Sequence, residues 1–71
     1  MLMSAKECLK KARYKLGMNQ KEFAEFLSIS KGSVSLYELG ARKPGFPVIR
    51  KIVKKLKERN INIEYSDLKE D

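Results

Sequence analysis

The alternation of helix starts and stops between Ser4 and Gly40 leaves this chain few folds to adopt. Ser4 stands three residues before Glu7, and Asn19 three residues before Glu22. This is the capping-box spacing, in which a polar side chain caps the first turn and an acid reaches back to the cap. Ala5, Leu9, Ala12 and Leu16 then fall on one helical face, and Gly17 supplies a left-handed stop, which predicts a helix over 5–16. Phe23, Ala24 and Leu27 give the buried side of a second helix over 20–27, broken by Ser28-Ile29-Ser30. Ser30 caps a third helix over 31–39, with Val34 and Tyr37 inward and Gly40 at its end. After a loop over 41–45, Pro47 sits in the first turn of a fourth helix, where its missing N–H costs nothing. Ile49, Ile52, Val53 and Leu56 form that helix's apolar stripe, and Asn60 ends it.

Helices this short are stable only when packed on one another. The expected fold is therefore all-α, a compact four- to five-helix bundle. The end of the chain reads two ways. Ile61, Ile63 and Tyr65 alternate with polar residues, as in a short C-terminal strand, whereas Ser66-Asp67-Leu68 suits the opening of a one-turn helix. The natural division is a body over 1–60 and a tail over 61–71.

Size and charge bound the function. A domain of 71 residues buries only about 60% of its unfolded surface and has no room for an enclosed active site. With no histidine and one cysteine, Cys8, neither a His/Cys metal cluster nor an internal disulfide can form, so no metal or other cofactor is expected. No phosphate-binding loop is present, and Cys8 has no histidine to activate it; an enzyme is not expected. The thiol usage suits a reducing cytoplasm, and no apolar run suits a membrane span or a signal peptide. The net charge of +7 is unevenly spread. Residues 31–60 carry nine basic and two acidic groups, while 61–71 carry one basic and four acidic ones. A basic body points to a polyanion, and nucleic acid is the commonest.

The segment from Asn19 to Phe46 is the informative one. Two short helices joined by a three- to four-residue turn carry apolar residues where crossing helices must touch, and Ala24 is small enough for the closest approach. With Asn19, Gln20, Glu22, Phe23, Ala24, Leu27, Ile29, Ser30, Val34, Ser35, Glu38, Gly40, Arg42 and Pro44 in register, this segment resembles the helix-turn-helix of the phage repressor and Cro family. The flanking helices extend the likeness to about 5–57. The resemblance implies a lambda-repressor-like DNA-binding bundle with the motif over 20–39. The chain departs from the family pattern at Ser28, where glycine is preferred in the turn, and at Leu36 and Leu39, where polar residues are frequent. If position 28 needs a positive φ, serine is strained there.

In that architecture the start of the second motif helix enters the major groove. Lys31, Gly32, Ser33, Ser35 and Leu36 are then the candidates for base contact. Lys31 donates to guanine O6 or N7, or to a phosphate; Gly32 lets the backbone approach; Leu36 packs on thymine methyls. By resemblance Gln20 donates to a phosphate at the positive end of its helix, and Arg42 and Lys43 contact the backbone on the flank. Lys11 and Arg13 are weaker candidates, and Arg50, Lys54 and Lys57 read as a solvated face; the resemblance implies that Glu38 is structural, paired with a nearby cation. Phe26, Leu39, Ile61, Ile63 and Tyr65 exceed what one core needs. The last three are the candidate dimer interface.

These readings converge on a sequence-specific binder of double-stranded DNA. It would be a prokaryotic or phage-encoded transcriptional repressor, associated with the nucleoid and bound as a homodimer to an inverted repeat. The alternative is a protein-interaction module, an antitoxin or coactivator-like adaptor, with the acidic tail 64–71 as its binding arm.

Overall fold

The computed structural model describes residues 4–69. Five helices follow in order: α1 Ala5–Leu16, α2 Gln20–Leu27, α3 Lys31–Leu39, α4 Phe46–Lys57 and α5 Tyr65–Leu68. The first three have the bounds that the caps and stops predict, and the caps are made as expected. The Ser4 and Asn19 side chains each accept from the N–H three residues on, and Glu7 and Glu22 close the two boxes. Ser30 accepts from the Ser33 N–H at 3.0 Å. Gly17 and Gly40 end α1 and α3 at φ 67° and 75°, where a Cβ is disfavoured.

α2 packs on α3 and α4, α1 packs on α3 and α5, and α4 packs on α5. The centre is formed by Phe23, Leu27, Ile52, Leu56 and Leu68, whose side chains are fully buried. Ala5, Cys8, Leu9, Ala12, Ala24, Val34, Tyr37 and Ile49 complete the core. The apolar periodicity of α1, α2 and α4 therefore names most of it correctly.

The strand reading of the tail is wrong: among the described residues there is no strand. Residues 61–64 are irregular, and the chain then turns into α5 through Glu64, whose N–H donates to Asp67 at 2.8 Å. The alternation that suggested a strand has a different cause. Asn60 takes a left-handed φ of 62°, a conformation asparagine tolerates, and the Ile61 N–H returns to the Leu56 carbonyl at 2.9 Å. That reversal directs Ile61, Ile63 and Tyr65 against the core, where they are half-buried, and delivers Leu68 into its centre. Glu70 and Asp71 of the acidic tail lie outside the described residues.

Candidate nucleic-acid interface

α2 and α3 meet through a turn of three residues. α2 ends at Ser28, which adopts φ 59° and ψ 43°, so the strain expected of a serine at this place is present. Its N–H returns to Ala24 and Glu25 carbonyls, and the Ile29 N–H donates to the Ala24 carbonyl at 3.0 Å. Lys51, from α4, donates to the Ser28 carbonyl at 3.2 Å and ties the turn to the bundle. The sequence gives no warning of that contact, because Lys51 is one of several similar cations along α4.

α3 buries Val34, Tyr37 and Glu38 and turns its other side to solvent. Lys31, Gly32 and Leu36 are exposed there, and Ser33 and Ser35 are half-buried beside them. The five candidate base-reading residues thus share the outward side of one helix. The Ser33 hydroxyl accepts from the Ser30 hydroxyl at 2.9 Å and is partly engaged in the cap. Leu39 is also exposed, at 70%.

Glu38 is the one buried charge among the described residues. Arg13 of α1 grips it in a fork, Nε to Oε2 at 2.8 Å and an Nη to Oε1 at 2.9 Å. Its remaining Nη donates to the Met18 carbonyl at 3.1 Å. The hydrogen bonds that Arg13 donates to Glu38 raise the Arg13 pKa above its ordinary value. Glu38 is structural and paired with a cation, as expected, and that cation is Arg13, three of whose five N–H groups are used inside the protein, which speaks against it as a phosphate contact.

Gln20 reaches the same carboxylate: its Nε2 donates to Glu38 Oε1 at 3.2 Å. An amide nitrogen carries two hydrogens, so one N–H remains for an outside acceptor. Gln20 therefore stands at the junction of α2, α3 and the buried pair, with its position set by Glu38.

Beyond α3 the chain wraps back over its last turn. The Ala41 and Arg42 N–H groups donate to the Leu36 carbonyl at 3.0 and 3.3 Å, and Pro44 is buried. This fixes the backbone of the loop while the Arg42 and Lys43 side chains are exposed. Phosphate-binding candidates thus stand on both flanks of the motif, Gln20 before the turn and Arg42 and Lys43 after α3.

The first turns of the helices differ in charge. α1 and α2 place Glu7 and Glu22 there, the sign that suits the positive end of a helix dipole. α3 has no acid in its first turn: Ser33 stands where the other two carry glutamate, and exposed Lys31 opens the helix. That choice does not stabilise the helix; it keeps the turn positive. No described helix is long and apolar enough to cross a membrane, and the described residues hold no cluster of three or more metal-ligating side chains.

Two capped helices locked at a three-residue turn, the second with one side buried and the other open to solvent, define a helix-turn-helix protein. A helix-turn-helix family model matches residues 9–62, and the chain belongs to this family of phage repressor and Cro type, a family of DNA-binding domains. No match was found among curated proteins or among solved structures.

Proposed function

We propose that the protein binds double-stranded DNA sequence-specifically and regulates transcription, as a repressor of the phage, plasmid or mobile-element kind acting in the cytoplasm. α3 lies in the major groove. Lys31, Gly32, Ser33, Ser35 and Leu36 face base edges, and Gln20, Arg42 and Lys43 hold phosphates. The observation that carries this reading is the first turn of α3, where Ser33 stands in the place of the acids that close the capping boxes of α1 and α2, so that exposed Lys31 has no carboxylate in its turn. An acid there would repel the phosphates that a groove-bound helix must approach.

The protein binds as a homodimer to an inverted repeat. A helix of nine residues reads only a few base pairs, so two copies one duplex turn apart, about 34 Å, are needed for specificity. Ile61 and Ile63 keep part of their apolar surface outside the core, while Tyr65 also stacks on Phe46, so the pairing edge rests mainly on the two isoleucines.

The test is selection of a site from randomised duplexes, followed by titration of variants. Arg42→Ala should weaken binding to selected and random duplex alike, whereas Lys31→Ala or Leu36→Ala should relax preference at particular bases by about 1–3 kcal/mol. With about six to eight phosphate contacts, log K should fall against log salt with a slope of about −5 to −7. A slope shallower than about −2 refutes phosphate neutralisation, and a selected site without two-fold symmetry refutes the dimer.

A further inference from the structure

Along the side of α4 that borders α5 runs an open groove of about 770 Å3. Its apolar lining is Phe46, Val53 and Tyr65; the rest comes from Arg50, Lys51, Lys54 and Lys57, and no acid lines it. We propose that this groove docks an acidic amphipathic segment of a partner protein, with large apolar side chains on Phe46 and Val53 and carboxylates on the surrounding cations. This goes beyond the DNA-binding reading, which rests on α2, α3 and the loop after them.

Phe46 is the first residue of α4 and is 57% exposed. The helix does not need it for its own packing, which Ile49, Ile52 and Leu56 supply. Its ring is nevertheless held in place. It packs on Tyr65 with centroids 5.0 Å apart, and the Arg50 guanidinium lies 5.7 Å from its centroid. The result is a fixed apolar surface open to solvent. Arg50, Lys54 and Lys57 recur at helical spacing on one face, and like charges so spaced weaken a helix slightly. Neither feature belongs to the buried core.

The charge decides among occupants. A second copy paired face to face across a two-fold would set the same four cations against themselves. Duplex DNA would satisfy the cations and leave Phe46 and Val53 facing phosphates. Unpaired bases need flat aromatic faces, and these two rings lean on each other at 53°. An acidic segment with an apolar face satisfies both the floor and the rim, in the helix-in-groove manner.

The experiment titrates the full chain with a short synthetic amphipathic peptide, Leu and Phe on one face and Glu on the other, read by backbone amide NMR shifts and by fluorescence anisotropy. The expected result is saturable shifts centred on Phe46, Val53 and Tyr65, and an affinity that falls with added salt. Phe46→Ala should weaken peptide binding about tenfold and leave duplex DNA affinity unchanged; Lys54→Glu, which leaves the aromatic pair intact, should weaken the peptide by a similar factor. A peptide of equal charge with Ala for Leu and Phe should not bind. The proposal is overturned if both variants bind the peptide as the parent does, or if a DNA duplex moves the same resonances and displaces the peptide. It is also overturned if sedimentation finds a dimer that Phe46→Ala dissolves, which would give the groove to a second copy.

Discussion

Arg13→Ala should be among the most damaging substitutions outside the apolar core. The Glu38 carboxylate that Arg13 holds has a side chain only 2% exposed. Without the guanidinium that carboxylate loses two charge-assisted donors at 2.8 and 2.9 Å and keeps only the Gln20 amide at 3.2 Å. The Met18 carbonyl loses its donor as well. Breaking a buried pair from one side costs about 3–5 kcal/mol, because a charge is left without its partner. A domain of this length has a total stability of about 4–11 kcal/mol, so a large share of it is at stake. At about 4–8 °C per kcal/mol, Tm should fall by about 12–40 °C. Urea unfolding at pH 7, followed by far-ultraviolet circular dichroism, measures the loss. The double variant Arg13→Met, Glu38→Leu removes both charges and should recover most of it. A loss under about 1 kcal/mol for Arg13→Ala would mean a solvent-screened pair and would refute the reasoning. A double variant as unstable as the single one would place the cost in packing around Arg13, not in the stranded carboxylate.

Three further outcomes follow from local geometry. Ser28→Gly should stabilise by about 0.5–1 kcal/mol by relieving a left-handed serine; destabilisation in the same urea assay would mean that the φ of 59° is not strained there. Glu7 is held below its ordinary pKa of 4.5 by the Ser4 hydroxyl first and the Ser4 N–H second, so its contribution is present above that pH and lost as pH falls through the lower folded value. Glu7→Gln should therefore flatten the loss of stability below pH 4.5, and curves that run parallel there would contradict it. Leu68→Ala should cost about 2–5 kcal/mol, since the side chain is 1% exposed; a change within about 0.5 kcal/mol would show α5 to be undocked.

The caps and stops made the first three helices legible to the residue, because each start carries a side chain that satisfies an orphan backbone N–H, and α1 and α3 end at a glycine that takes the left-handed turn. The tail was legible only in part: of its two readings the one-turn helix at Ser66-Asp67-Leu68 is the one that forms, as α5. Its outcome depends on Asn60 adopting a left-handed φ and on Leu68 finding a hole between α1 and α4, and neither is a periodic property of residues 61–68. A test by truncation after Asn60 would for the same reason remove a core side chain along with any interface. At the site, the outward side of α3 followed from the inward positions of Val34 and Tyr37. The sharing of Glu38 between Arg13 and Gln20 did not, because partners 25 and 18 residues apart leave no local pattern.

The way α3 is held leaves its outer side free for the recognition role proposed for it. The helix contains Gly32, Ser33 and Ser35, all weaker helix formers than alanine, and has no acid in its first turn or base in its last. Glu38 near its end even has the wrong sign for the dipole. Left to its own sequence, α3 would be the least stable of the long helices. Its placement comes from elsewhere: the Ser30 cap, the buried Val34 and Tyr37, and the Arg13 fork that turns the misplaced acid into an anchor to α1. The residues that fix the helix and those that face outward are therefore different sets. Lys31, Gly32 and Leu36 lie outside the anchoring contacts, so exchanging Lys31 or Leu36 should alter what is read on DNA with little change in stability. Exchanging Arg13 or Glu38 should instead remove the helix from its place altogether.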